Sequence, residues 1–381
     1  LMKKIRMFMF AGALMFCLAI PALAAPSVSA QSFILMHADT GVVLCESNAD
    51  EKMLVASTTK IMTAIVAIEN CDLDEQVEIS AESAGIEGSS MYLRAGETYT
   101  VEQLLYGMML VSGNDAATAL ALHVAGSVEG FAECMNERAA ALGMDNSSFK
   151  NPHGLDEDGH YSTARDMAVL ACHCMANDTF RKIVSARSYQ VGDQTFVNHN
   201  RLLWTLDGAL GLKTGYTRAA GRSLVSCVER DGLRFICVTL SDPDDWADHT
   251  SLYDWAFAEC QYKTIASDEM SFTLPVISGT AEDVTVYPEM KLQVLAINNQ
   301  EPELSVDLPR FVFAPVEAGD IAGSIMIMQN GIIVGSRDLV YSESISLKPG
   351  IELTPWERFK RVWTMAGRYC GYSYYLTGEN R

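Results

Sequence analysis

Short apolar runs near the beginning of the chain are bounded by turn residues. Ser32–His37 and Val42–Glu46 are two such runs, and Asp39-Thr40-Gly41 between them is typical of a hairpin turn. Farther on, apolar residues recur at intervals of three and four, the spacing of an amphipathic helix. This spacing predicts helices over residues 58–69, 101–111, 114–125, 128–142 and 163–175.

The pattern returns to strands after Gly208. Residues 209–213, 223–229 and 233–240 are predicted strands, and a helix follows over residues 246–260. Two strands, a helical block, three strands and a helix predict one sheet covered by helices. We therefore expect an α/β (α+β) domain that spans residues 25–262.

A second region begins near residue 263, where short alternating runs are separated by turn residues. It predicts strands over residues 271–274, 284–287, 291–297, 310–314, 323–328 and 332–335. Many short strands without a helix are typical of a sandwich. We expect a small all-β domain over residues 263–348.

The first 24 residues have the features of a signal peptide. Lys3, Lys4 and Arg6 precede an apolar run over Met7–Ile20, and Ala22-Leu23-Ala24 is a small-residue cleavage site. The alternative is an uncleaved N-terminal anchor. Cleavage predicts an exported protein.

The last segment, residues 349–381, is amphipathic if it is helical. One side would present Trp356, Phe359, Val362, Trp363, Ala366 and Cys370, and the other Arg358, Lys360, Arg361 and Arg368. Two tryptophans beside a cationic face favour a helix that lies on an anionic membrane surface. The alternative is a helix that packs against the β domain.

Composition narrows the function classes. Of the 381 residues, 49% are hydrophobic, which is enough to form a core, and the formal net charge of −20 argues against nucleic-acid binding. Nine of the ten cysteines follow Cys17, and an odd number without framework spacing does not predict a disulfide scaffold. Cys172-His173-Cys174 has no second ligand pair at zinc spacing, so no metal or cofactor is predicted.

Candidate chemistry begins at Ser57-Thr58-Thr59-Lys60. On a helix, Ser57 and Lys60 lie one turn apart on the same face. A serine hydroxyl becomes a good nucleophile only when a base takes its proton, and a buried lysine can be that base because burial lowers its pKa. Taken alone, the motif also fits a capped helix with a surface lysine.

Two more motifs follow in order. Ser112-Gly113-Asn114 separates two predicted helices, and Lys213-Thr214-Gly215 ends a predicted strand. Ser112 could relay a proton and Asn114 could hold a substrate carbonyl or Lys60. Lys213 and Thr214 could bind a substrate carboxylate, and Gly215 leaves room for a substrate backbone to approach. An inter-helix turn and an ordinary strand end are the alternatives.

Together, the three motifs resemble the S-x-x-K, S-x-N and K-T-G signature of penicillin-binding enzymes and serine β-lactamases. Over roughly residues 32–257 the chain is similar to the low-molecular-mass serine D-alanyl-D-alanine carboxypeptidases. The segments with this similarity are Asp39–Leu44, Ala56–Ala64, Gly88–Met91, Asn151–Leu155 and Lys213–Gly221.

This resemblance implies a mechanism, and a place of action at the outer face of the cell membrane or in the cell wall. A serine would form an acyl ester with a stem peptide that ends in D-Ala-D-Ala, and β-lactams would be inhibitors. By position, the implied roles are Ser57 as nucleophile, Lys60 as proton acceptor, Ser112 as proton relay, Asn114, Lys213, Thr214 and Gly215 in substrate binding, and the backbone N–H groups of Ser57 and Tyr216 as the oxyanion hole.

One departure from the family pattern concerns the substrate carboxylate. Relatives often have an arginine directly before the tryptophan that opens the last helix, whereas this chain has Asp244-Asp245-Trp246. Arg218 and Arg201 are possible substitutes.

The alternatives keep the same site or discard it. A class A β-lactamase would need an E-x-x-L-N segment between Asn114 and Lys213, and none is present. Endopeptidase action on D-Ala cross-links would use the same machinery. A non-catalytic wall-binding scaffold is the third alternative, although such a protein should have lost one of the motif residues.

Overall fold

The computed structural model describes residues 25–265, 270–289, 292–297, 303–329, 332–352 and 354–357. Residues 1–24 and 358–381 lie outside the described residues, so the signal peptide and the membrane-associating tail stay predictions. Among the helices of the described part, none is long and apolar enough to cross a membrane.

The described part of the chain contains a short 3₁₀ turn at Ala56–Thr59 and eight α-helices. They are α1 Lys60–Asn70, α2 Val101–Leu110, α3 Asn114–Ala125, α4 Val128–Ala141, α5 Ala164–Ala176, α6 Asp178–Ser185, α7 Leu202–Thr205 and α8 Asp245–Glu259.

The strands before α8 form one five-stranded sheet and two small two-stranded sheets, and the strands after α8 form further sheets. They are β1 Ser32–His37, β2 Val43–Ser47, β3 Gln76–Glu78, β4 Thr98–Thr100, β5 Ser188–Val191, β6 Gln194–Val197, β7 Ala209–Thr217, β8 Gly221–Arg230, β9 Leu233–Leu240, β10 Cys260–Ile265, β11 Phe272–Ile277, β12 Asp283–Pro288, β13 Leu292–Ile297, β14 Glu303–Asp307, β15 Val312–Phe313, β16 Ile321–Gln329 and β17 Ile332–Tyr341.

A five-stranded antiparallel sheet with the order β2-β1-β9-β8-β7 organises the N-terminal region. Successive residues of β8 and β9 face opposite sides, as the two-residue period of a strand requires. Val225 and Val238 lie in the core beneath α1 to α5, whereas Leu224 and Cys237 lie in the core beneath α8. The predicted sheet covered by helices is therefore confirmed.

Local side-chain contacts explain where several helices begin. Thr100 and Gln103 form a capping box at the start of α2, and Thr163 Oγ1 accepts the Asp166 N–H at the start of α5. α1 has no side-chain cap, because the 3₁₀ turn leads directly into it. The beginning of α1 is thus left open for other contacts.

From β10 to residue 348, the described part of the chain contains strands and no helix, as predicted. β14-β16-β17-β12-β11-β15 form a six-stranded sheet, and β10 pairs with β13 in a two-stranded sheet. Apolar side chains from alternating positions, such as Val284 and Val286 of β12, are buried between them and the loops. The domain boundaries at residues 262 and 348 stay predictions.

Two differences from the predicted elements concern the motifs. Ser57 precedes α1 rather than opening a helix, and β7 continues to Thr217, four residues beyond its predicted end at Lys213. The pairing of Tyr216 with Arg222 extends the strand. Lys213-Thr214-Gly215 therefore lies inside a strand at the edge of the sheet.

Candidate active site

Ser57 is held in a strained turn between α1 and a neighbouring loop. Ala56, directly before it, has φ +47, a left-handed conformation that non-glycine residues seldom adopt. Gly154 has φ +85, and a Cβ there would lie 1.9 Å from the Ala56 carbonyl oxygen. A glycine is required at residue 154 because the loop backbone presses directly against the turn that presents the serine.

Lys60 has three polar neighbours, and two of them can only accept a hydrogen bond. Its Nζ lies 2.7 Å from Asn114 Oδ1, 2.7 Å from the His153 carbonyl oxygen and 3.0 Å from Ser57 Oγ. A neutral amine has two hydrogens and one lone pair. If the hydrogens go to the two obligate acceptors, the lone pair is left for the hydroxyl of Ser57.

The environment of Lys60 favours this neutral form. Burial lowers the pKa of Lys60 well below its usual range, and the positive charge of Lys213 lowers it further, against a smaller opposing effect of Asp115. An ammonium group at Lys60 would be repelled by the positive charge of Lys213. The hydrogen-bond geometry and the lowered pKa of Lys60 are those that a general base would need.

Ser112 and Asn114 lie at the junction of α2 and α3. Ser112 has φ +64 and lines the cleft, and Asn114 Nδ2 donates to the Glu87 carbonyl at 2.6 Å, which leaves Oδ1 for Lys60. The structure brings Ser112 to the same cleft as Ser57. Ser57 thus follows a residue with a left-handed backbone conformation, and Ser112 adopts such a conformation itself.

Asp115 orders the loop that borders the cleft. Its two carboxylate oxygens accept from the backbone N–H groups of Met91 and Leu93 and from Ser90 Oγ, at 2.6–3.0 Å. Asp115 is fully buried, so these bonds satisfy a charge that would otherwise be costly to bury. The Gly88–Met91 segment is thereby fixed beside Asn114.

The third motif approaches Ser57 from the sheet. A Cβ on Gly215 would lie 3.1 Å from the backbone nitrogens of Ser57 and Thr58, so β7 and the 3₁₀ turn are in close backbone contact. Thr214, Gly215 and Tyr216 line the cleft with Ser57. Lys213 is buried, which lowers its pKa to about 7, and its Nζ donates to the Thr214 carbonyl at 2.9 Å.

An ion pair between Arg222 and Asp245 closes one end of this cleft, which has a volume of 330 Å³. Arg222 on β8 donates to both oxygens of Asp245, at 2.7 and 3.1 Å, and its guanidinium lies 5.7 Å from the ring of Trp246. Burial raises the pKa of Asp245, and Arg222 opposes that effect. The Asp245 carboxylate therefore binds the Arg222 guanidinium, and the Arg222 side chain, which lines the cleft, is still 43% exposed.

Comparison with known proteins agrees with this geometry. The family model Peptidase_S11, D-alanyl-D-alanine carboxypeptidase, matches residues 20–244. The chain belongs to this family. It is 30% identical to the D-alanyl-D-alanine carboxypeptidase DacF of Bacillus subtilis over 87% of this chain and 91% of that protein. It is 34% identical to DacC of Escherichia coli, over 84% and 85% of the two chains.

Solved structures of the carboxypeptidase family share the fold. Penicillin binding protein 5 from Haemophilus influenzae superposes with a TM-score of 0.72 at 28% identity, covering 85% of this chain and 99% of that one. The predicted family, fold class and enzyme class are confirmed. The roles of individual residues, the domain boundaries and export stay predictions.

Several groups of the site were not identified from sequence. They are the His153 carbonyl, the Asp115 carboxylate, and Arg222 with Trp246. Arg218 and Arg201, the substitutes considered for the carboxylate, are not among the residues that line the cleft, whereas Arg222 is. Arg222 reaches the cleft because it pairs with Tyr216 across β7 and β8, and no sequence motif predicts that pairing.

The two lysines predict a bell-shaped pH dependence. Lys60 must lose its proton to accept one, so kcat/KM rises with pH through its lowered pKa. Lys213 must keep its proton to hold an anion, so in the free enzyme kcat/KM falls again as pH rises through about 7. Lys213→Arg should remove the alkaline limb, because a guanidinium stays protonated. Steady-state rates between pH 5 and 10 measure this, and an unchanged limb in that variant would contradict it.

The contact of Gly215 with Ser57 predicts a second effect. In Gly215→Ala the new methyl group meets backbone atoms at 3.0–3.1 Å, so the turn must move away from β7. We expect stopped-flow acylation to slow by ~10²-fold, as on loss of an oxyanion donor, with a stability loss of about 1–3 kcal/mol. Gly335→Ala, in β17, is the control. Acylation of Gly215→Ala at the wild-type rate would refute the expectation.

Proposed function

We propose that the chain removes the terminal D-alanine from peptidoglycan stem peptides through an acyl ester on Ser57. The observation that supports this most directly is the contact of Lys60 Nζ with two obligate acceptors and the Ser57 hydroxyl. Ser57 Oγ attacks the carbonyl carbon of the penultimate D-alanine, and its proton passes to the Lys60 lone pair. The carbonyl oxygen becomes an oxyanion between the N–H groups of Ser57 and Tyr216.

Collapse of this intermediate breaks the peptide bond. Lys60 returns the proton to the departing amine through Ser112, whose position in the cleft suits a relay. D-Alanine leaves, and a water molecule then attacks the ester with Lys60 again as base. The reaction balances as hydrolysis of one peptide bond.

Recognition of the terminal carboxylate is assigned to β7 and β8 together. Lys213 and Thr214 provide a cation and a hydroxyl on β7. Arg222 provides a second cation from β8 in place of the arginine that relatives have before the tryptophan. Asp245, at that position here, fixes the guanidinium through two hydrogen bonds. Its exposed edge can still donate to a carboxylate.

A β-lactam would acylate Ser57 in the same way, and the resulting ester would persist. Among the described residues that line the cleft, Asp245 is the one carboxylate, and Arg222 binds both of its oxygens. It is therefore not free to activate a deacylating water. This supports a carboxypeptidase that penicillin inhibits over a β-lactamase that turns penicillin over.

Covalent labelling with a fluorescent penicillin tests the proposed nucleophile. The wild type should gain one penicilloyl group on the peptide that contains Ser57, and Ser57→Ala should gain none. Ser89→Ala, which alters another serine of the cleft, is the control and should label normally. Release of D-alanine from a pentapeptide checks the reaction itself. Equal labelling of Ser57→Ala would refute the mechanism.

The proposed role of Arg222 is tested with a matched pair of peptides, one ending in a carboxylate and one in an amide. Loss of a charged hydrogen bond costs ~1.5–3 kcal/mol, so Arg222→Gln should raise KM for the carboxylate peptide by ~10–100-fold. The amide peptide should change little. Arg218→Gln is the control. If KM rises equally for both peptides in Arg222→Gln, Arg222 stabilises the structure and does not bind the substrate carboxylate.

A further inference from the structure

Three metal-ligating side chains meet far from the active-site cleft. Cys71 follows the last residue of α1, Glu75 lies in the turn that follows, and His123 is in the last turn of α3. One ligand atom from each lies within 4.8 Å of the other two, and His123 Nε2 is 3.0 Å from Glu75 Oε2. We call these residues the helix-end cluster.

The backbone holds the helix-end cluster in place. Glu75 Oε1 accepts the N–H of Asp72 at 2.6 Å, which turns Oε2 toward His123. The Glu75 carbonyl accepts the N–H of Val101 at 3.0 Å, and the Cys71 N–H donates to the Ala67 carbonyl at 3.1 Å. The three ligands are therefore positioned by hydrogen bonds of their own segments.

The electrostatic environment favours a cation. α1 and α3 both end beside the cluster, and a helix C-terminus has a partial negative charge. Asp72 and Asp74 flank the turn, in a chain with a formal net charge of −20. Among the described residues, no lysine or arginine forms a salt bridge with Glu75, whose partner is His123.

We propose that the helix-end cluster binds one zinc ion through Cys71 Sγ, Glu75 Oε2 and His123 Nε2, with water as the fourth ligand. Zn²⁺ prefers four-coordinate sets of sulfur, nitrogen and oxygen, with ligand distances of ~2.0–2.3 Å, and ligand atoms this close need move little. Binding releases the thiol proton to solvent and changes no oxidation state. A thiolate and an imidazole select zinc over magnesium or calcium.

The ion would act on structure, not on the reaction. α1 has 11 residues, so its far end is about 16 Å from Lys60. The same helix begins at Lys60, and α3 begins at Asn114. Zinc at the helix-end cluster would therefore join the ends of the two helices whose beginnings hold the proposed general base and its partner. No sequence motif predicts it, because Glu75 and His123 are 48 residues apart.

Metal binding is tested directly on the reduced, metal-free protein. Titration with Zn²⁺ should show one site per chain, and Co²⁺ should give a thiolate-to-cobalt charge-transfer band in the near ultraviolet. At a free concentration 100-fold above Kd, Zn²⁺ should raise Tm by about 5 °C, whereas Mg²⁺ and Ca²⁺ should not.

Variants separate this site from other thiols. Cys71→Ser should abolish the cobalt band, and His123→Gln should weaken zinc binding by at least about 100-fold. Cys134→Ser, which alters another half-buried thiol, should leave both unchanged. Zinc should also protect Cys71 from a maleimide in the wild type and not in His123→Gln.

The proposal is overturned if no stoichiometric site is found, or if Cys71→Ser binds cobalt with the same band. Because penicillin labelling of Ser57 is a separate readout, either result leaves the proposed activity to be judged alone.

Discussion

The site depends on how few partners are available to one buried amine. Lys60 has two neighbours that cannot donate, Asn114 Oδ1 and the His153 carbonyl, so both hydrogens of the neutral amine have a fixed destination. The lone pair then has one polar neighbour left, the Ser57 hydroxyl. A surface lysine would be charged and mobile. Burial among obligate acceptors would make the same side chain a directed base, as we propose.

Much of the fold is organised to maintain that arrangement. Gly154 and Gly215 bring two separate backbones against the turn that presents Ser57, at separations that a Cβ would not allow. Strained conformations at Ala56 and Ser112 persist because packing around them over-determines the backbone. Asp115 fixes the loop that borders the cleft through hydrogen bonds to Ser90, Met91 and Leu93. The reactive groups therefore come from four segments distant in sequence, but the contacts between those segments leave little freedom.

The sequence predicts local structure well and long-range partners poorly. β1, β9 and α3 have the predicted bounds, because their hydrophobic patterns and flanking turns are local signals. β7 extends beyond its prediction, since its last residues are stabilised by pairing with β8 and not by their own composition. The motifs identify Ser57, Lys60 and Lys213. They do not identify Arg222 or the His153 carbonyl, because those contacts join residues that only the tertiary fold brings together.

The burial of Lys213 has a consequence for how the cleft responds to what enters it. With its pKa near 7, this amine is charged in only part of the empty molecules at neutral pH. An anion bound at Lys213 would favour its protonated form, and that positive charge would lower the pKa of Lys60 further. Binding of the substrate carboxylate would thus increase the fraction of Lys60 that is unprotonated. A neutral peptide of the same shape would bind less well and would leave a smaller fraction of Lys60 unprotonated.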